Sequence, residues 1–201
     1  VRTLPNQRAV DALPTVARLR SLPLQQEATY VLKVSYNRGA QTMICRLAVA
    51  EGSSDCDDGM PKAAQIWRAA GLNTDEAVLI DGSGIPGNLV TPDNQVQLQT
   101  IMAARPDAAA WQSTLPILGV DGSLALVQSN GPAKGKVFAK TGTIGAGDLF
   151  NGRILFPAKA LGGYMDAQSG RRLAFAIVAS NAVFSDIRGA FAANDDVGTV
   201  A

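Results

Sequence analysis

The 201-residue sequence predicts an α+β domain, with helices first, then antiparallel strands and a closing helix. Three observations carry that reading. Between positions 25 and 114, apolar stripes recur at helical spacing and stop at glycine or proline. Between 136 and 181 the pattern changes to apolar, β-branched and aromatic runs divided by glycine-rich turns. Those runs follow one another with no helix between them, which excludes a βαβ alternation.

In chain order, residues 1–23 are polar, carry Pro5, Pro14 and Pro23, and read as a connecting segment with a short strand around Thr15–Leu19. Residues 24–201 form the domain proper. Helices are predicted over Gln25–Val34, over Asn37–Glu51 with Gly52 as its stop, and over Met60–Ala70 with Pro61 in its first turn. Ala77–Asp81 is a short apolar run that reads as a strand. Thr91-Pro92 is an N-cap followed by a first-turn proline, opening a helix to about Ala104. Pro106–Thr114 and Ser123–Val127 read as shorter helices. Strands are predicted over Lys136–Thr141, Leu149–Phe156, Ala160–Asp166 and Arg171–Asn181, with a hairpin turn at Ala167–Gly170. The glycines at 145, 147 and 152 predict a mobile loop between Thr143 and Ala160. Ser185–Ala201 closes the chain as a helix.

Composition narrows the function. Lys plus Arg is 18 and Asp plus Glu is 17, a net charge of +1, which carries no basic footprint for nucleic acid. Histidine is absent, so these residues supply neither a Ser-His-Asp triad nor a histidine-ligated zinc site, and two cysteines cannot complete a cysteine-only one. No metal and no cofactor is expected. Two partial motifs are rejected. Gly131–Lys136 lacks the first glycine and the final Ser or Thr of a phosphate loop, and Asp81-Gly82-Ser83-Gly84 lacks the outer glycines of a nucleophile elbow. Ser83 reads as a hydroxyl that ties down a tight loop. Asp121 and Ser123 read as turn and cap residues, Trp67 and Trp111 as core, and Lys33 and Arg38 as a solvated face.

Two motifs carry chemistry. Lys140-Thr141-Gly142-Thr143 ends an apolar strand, and a K-T-G arises by chance at roughly one tripeptide in several thousand. Ser35-Tyr36-Asn37 is an S-x-N triad between two helices, with Asn37 103 positions before Lys140. Together they suit acyl transfer. Lys140 supplies fixed positive charge for a substrate carboxylate, to which Thr141 and Thr143 can donate. Gly142 lets a ligand approach the backbone, and the Thr143 N–H is a candidate oxyanion donor. Ser35 can relay a proton, and Asn37 can hold a substrate amide through both donor and acceptor. The bland alternative is that Ser35 and Asn37 only cap the helix that follows them.

These motifs resemble those of class C low-molecular-mass penicillin-binding proteins, the D-alanyl-D-alanine carboxypeptidase/endopeptidases. Val31–Ala40 is similar to their S-x-N segment, and Ala139–Thr143 to their K-T-G element. Asp81–Gly84 with Asn88–Pro92, and Leu115–Leu124, resemble two further signatures lying in the same order. The resemblance implies a penicillin-binding/β-lactamase-like fold, with Ser35, Asn37 and Lys140 catalytic and Thr141, Gly142 and Thr143 binding substrate. It implies a nucleophilic serine in an S-x-x-K tetrad well N-terminal of S-x-N. No serine here has lysine three positions on. The expectation is therefore the C-terminal part of such an enzyme, incomplete and inactive alone, whose first partner is the N-terminal part of the same protein. The implied substrate is a peptidoglycan stem peptide ending in D-Ala–D-Ala, the implied inhibitors are β-lactams, and the implied location is extracytoplasmic. Cys45 and Cys56 leave two readings open, a disulfide or two buried thiols, and an envelope location favours the disulfide. The rival functions are a non-catalytic peptidoglycan-binding domain of the same fold and a serine β-lactamase.

Overall fold

The computed structural model describes residues 11–201. The stretch 14–23 has no regular structure and is exposed, so the strand expected at Thr15–Leu19 is not formed; Val16 and Leu19 find nothing to pack against. The helical cluster begins with α1, Leu24–Lys33, which places Glu27 in its first turn and Lys33 in its last, each favourable to the helix dipole. Helices α2, Asn37–Ala50, and α3, Gly59–Ala69, follow. A disulfide joins Cys45 of α2 to Cys56 in the short turn before α3, with Cα atoms 4.1 Å apart. Ala77–Val78 (β1) and Leu89–Val90 (β2) pair as a small antiparallel ribbon, shorter than the strand expected over 77–81. Helix α4, Pro92–Ala103, starts as its sequence dictates: Thr91 Oγ1 accepts from Asn94 N at 3.0 Å and Pro92 occupies the first turn. Helix α5, Ala108–Thr114, leads to a 3₁₀ turn at Gly122–Leu124.

The main sheet is the antiparallel meander β3-β4-β5, formed by Val137–Asp148, Arg153–Asp166 and Arg172–Phe184. The loop expected between Thr143 and Ala160 does not exist. Gly145 and Gly147 lie inside β3, a register irregularity between Ile144 and Ala146 accommodates the chain there, and a turn at Leu149–Gly152 joins the two strands. Pro157, which removes a ladder donor from β4, sits at that irregularity, where such a loss is tolerated. Gly163 is required for a different reason. It lies opposite Ala139, and a Cβ there would stand 2.1 Å from Phe138 O and 2.6 Å from Ala139 Cα.

Helix α6, Ile187–Val200, is capped by Asp186, whose side chain accepts from Gly189 N. It covers one face of the sheet. Leu118, Leu124, Val137, Ala139, Leu161, Phe175 and Val197 form the hydrophobic core there. Helix α4 packs on the other face, where the buried Tyr164 hydroxyl donates to Gln99 O at 2.7 Å. The core thus lies on the strand side of the molecule; among the described residues up to Ala103, Ala48 is the one buried hydrophobic side chain.

Candidate active site

The site forms where the helical cluster meets the exposed edge of the sheet. Helix α1 ends at Lys33, and the chain reverses through Ser35, whose φ is +57°. Tyr36 N donates to Val31 O at 2.9 Å, the closing bond of a Schellman cap with Ser35 at its left-handed position. That position favours glycine. A serine held there is strained backbone of the kind that collects at functional sites. The residue flanking α2 is Tyr36, and no side chain caps that helix. Neither Ser35 nor Asn37 therefore caps α2 through its side chain. Asn37 opens α2 with its side chain at the cleft, and its amide has no partner among the described residues.

Strand β3 supplies the other half. Residues 116–118 run beside its first part: Leu118 N donates to Val137 O at 3.0 Å and Ala139 N to Pro116 O at 2.9 Å. The pairing stops at Ala139. Strand alternation turns the N–H and C=O groups of Thr141 and Thr143 to the same edge, which is open from there onward. Lys140 points the other way round the strand and donates from Nζ to Ser35 Oγ at 2.7 Å and to Thr141 O at 2.6 Å. Burial, and secondarily the neighbouring Lys159 ammonium, lower its pKa to about 8. Two motifs 105 residues apart in sequence are thus joined by one hydrogen bond.

The turn at Asp121-Gly122-Ser123 braces both halves. Lys33 Nζ lies 2.7 and 2.6 Å from the two Asp121 carboxylate oxygens, and Asp121 Oδ1 also accepts from Ile117 N at 2.9 Å. Gly122, at φ +58°, passes so close to α1 that a Cβ would stand 2.8 Å from Lys33 O. Ser123 Oγ lies 2.8 Å from Thr141 Oγ1. Lys33, read from sequence as a solvated side chain, is an ion-paired strut two residues from Ser35. Nothing in its spacing to Asp121, 88 positions away, signals this.

A cavity of about 1050 Å³ opens beside these groups and includes Ser35, Asn37, Lys140 and Thr143 in its lining. Residues of the Asp81–Asn88 loop also line it. Burial alone would raise the Asp81 carboxyl, but hydrogen bonds from Ser83, Asn88 and backbone N–H groups outweigh it and hold the carboxyl below its ordinary value. Ser83 ties the loop through Asp81, as its sequence setting suggests. Trp67 also lines the cavity instead of sitting in a core. Trp111 anchors α5 to α4 through Nε1 to Gln99 Oε1 at 3.3 Å.

An antiparallel sheet with a lysine on its edge strand thus faces a serine and an asparagine supplied by the helical cluster. Residues 3–196 match the D-Ala-D-Ala carboxypeptidase 3 (S13) family, and the chain belongs to that family. It is 33% identical over 154 residues to a D-alanyl-D-alanine carboxypeptidase of Actinomadura sp. (strain R39), covering 73% of this chain and 26% of that protein. It is 28% identical over 181 residues to carboxypeptidase DacB of Mycolicibacterium smegmatis, covering 84% of this chain and 36% of the relative. The chain thus spans about a third or less of these relatives. The fold is shared with penicillin binding protein 4 (dacB) of Haemophilus influenzae, solved in complex with a β-lactam: TM-score 0.71, 21% identity, 88% of this chain and 41% of that one.

Proposed function

We propose that this chain is the C-terminal part of a serine D-alanyl-D-alanine carboxypeptidase/endopeptidase whose nucleophilic S-x-x-K serine lies outside these 201 residues. The observation that carries the reading is the 2.7 Å contact between Lys140 Nζ and Ser35 Oγ in the lining of the cavity. The substrate is a peptidoglycan stem peptide ending in D-Ala–D-Ala, laid along the open edge of β3 as an added strand. Lys140, Thr141 and Thr143 hold its terminal carboxylate. Asn37 binds a substrate amide. The nucleophile attacks the penultimate carbonyl, and the Thr143 N–H donates to the oxyanion. Ser35, poised by Lys140, passes a proton to the departing D-Ala, and water then hydrolyses the acyl-enzyme. The domain's first partner is the N-terminal part of the same protein, and the setting is extracytoplasmic. Among the described residues no helix is long and apolar enough to cross a membrane.

The test is intact mass and peptide mapping of the full-length protein after incubation with a penicillin. The expected result is one adduct on a serine outside these residues, followed by lysine three positions on. An adduct on any serine of this chain, or no adduct alongside no release of D-Ala from a D-Ala–D-Ala peptide, overturns the reading.

A further inference from the structure

Lys159 is the one buried charged residue among those described, with 5% of its surface exposed. A buried lysine ordinarily sits against a carboxylate, because an uncompensated ammonium in the interior is costly. Lys159 has no acid within 4 Å among the described residues, and neither does Lys140. The recorded partner of Lys159 is a hydroxyl: Nζ donates to Thr143 Oγ1 at 2.8 Å. Strand pairing fixes this contact, since Lys159 on β4 stands in register opposite Thr143 on β3. Burial lowers the Lys159 pKa, and its charge in turn lowers that of Lys140. Two cations therefore flank the threonines of the edge strand with no counter-charge in place, an arrangement that an arriving anion relieves.

The hydrogen-bond chemistry gives the second cation a specific task. An ammonium can only donate, so Lys159 occupies a lone pair of Thr143 Oγ1. The hydroxyl proton of Thr143 is then left to donate elsewhere, and Thr143 is exposed at the cleft. We propose that Lys159 is a positioning residue for the substrate's chain end: it fixes the Thr143 hydroxyl as an outward donor and biases the site toward a carboxylate over a neutral terminus. The proposal rests on the acyl-transfer reading above and adds a specificity determinant to it. Lys159 does not touch the ligand; it acts through Thr143.

The experiment compares acylation of the full-length protein by a penicillin with its free carboxylate and by the methyl ester of the same penicillin. Lys159→Met is expected to lower the acid-to-ester ratio of acylation rate constants by about 10-fold or more, the scale of one charge-assisted hydrogen bond. Lys159→Arg is expected to restore most of the ratio. Thr143→Val, which keeps Lys159 and removes the hydroxyl, is expected to lower it similarly and stands in should Lys159→Met fail to fold. A ratio that stays at the wild-type value in Lys159→Met, even with lowered thermal stability, makes Lys159 merely structural and overturns the proposal. Absence of acylation of the wild-type protein by either probe sinks the underlying reading instead, and this proposal with it.

Discussion

Replacing Ser35 by alanine and by glycine separates its part in the fold from its part in the chemistry. Both changes delete the hydroxyl that accepts from Lys140 at 2.7 Å. A hydrogen bond to a charged group contributes about 1.5–3 kcal/mol, and Ser35 is exposed, so about 1 kcal/mol is the expected loss in each variant. The backbone then distinguishes them. At φ +57° a residue with a Cβ carries about 1–2 kcal/mol of strain that glycine does not. Glycine also gains freedom in the unfolded chain, which offsets about 0.5–1 kcal/mol of that relief. Ser35→Gly is therefore expected to be about 0.5–1 kcal/mol more stable than Ser35→Ala in urea denaturation. Penicillin acylation of the full-length protein should fall by about 10²–10⁴-fold in both, the usual contribution of a positioned proton-transfer group. An alanine variant as stable as the glycine variant would refute the strained-cap argument. Acylation near the wild-type rate in either would refute the relay.

Other expected outcomes follow from the same geometry. Lys140 has a folded pKa of about 8 against an ordinary 10.5, so the folded state gives up this proton first. The penalty for burying its charge is full below about pH 8 and fades between about 8 and 10.5. Over that window, wild-type stability should rise relative to Lys140→Met, while the rate of acylation falls as the carboxylate anchor loses its charge; a flat difference in denaturation midpoints would count against this. Asp121→Asn breaks the ion pair with Lys33 and should cost about 1 kcal/mol in denaturation, the scale of a partly exposed pair. Because Lys33 stands two residues from Ser35, slower acylation should accompany that loss, and unchanged kinetics would show that the strut does not reach the site. Reducing the Cys45–Cys56 disulfide should cost about 2–3 kcal/mol for a loop this short, read as a shift in denaturation midpoint with and without reductant.

Where structure follows from neighbours in sequence, it was legible. Thr91-Pro92 announces α4, and Ala167–Gly170 announces the β4–β5 turn, where Gly170 N donates to Ala167 O at 2.9 Å. The K-T-G and S-x-N elements were recognisable because each is a short string. What brings Ser35 to Lys140 is tertiary, and so are the Lys33–Asp121 strut and the burial of Lys159; a lone lysine in a strand carries no mark of its partner. The glycines of 145–152 predict a loop that does not form, for a physical reason. Glycine weakens a strand's local preference, but long pairing with β4 outweighs that preference and carries β3 through to Asp148.

The one-sided placement of the core has a consequence for motion. Lys140 stands on a strand paired with β4 along its length and backed by the hydrophobic cluster, whereas Ser35 and Asn37 stand at the junction of two helices that bury almost no apolar side chains. Local opening should therefore be far easier around Ser35 than around Lys140, and amide hydrogen exchange should be correspondingly faster there. A ligand that touches both motifs holds the looser half to the firmer one. Its binding would register as new protection in α1 and α2 and at the open-edge amides of Thr141 and Thr143, with little change elsewhere along β3-β4-β5, where the paired amides already exchange slowly.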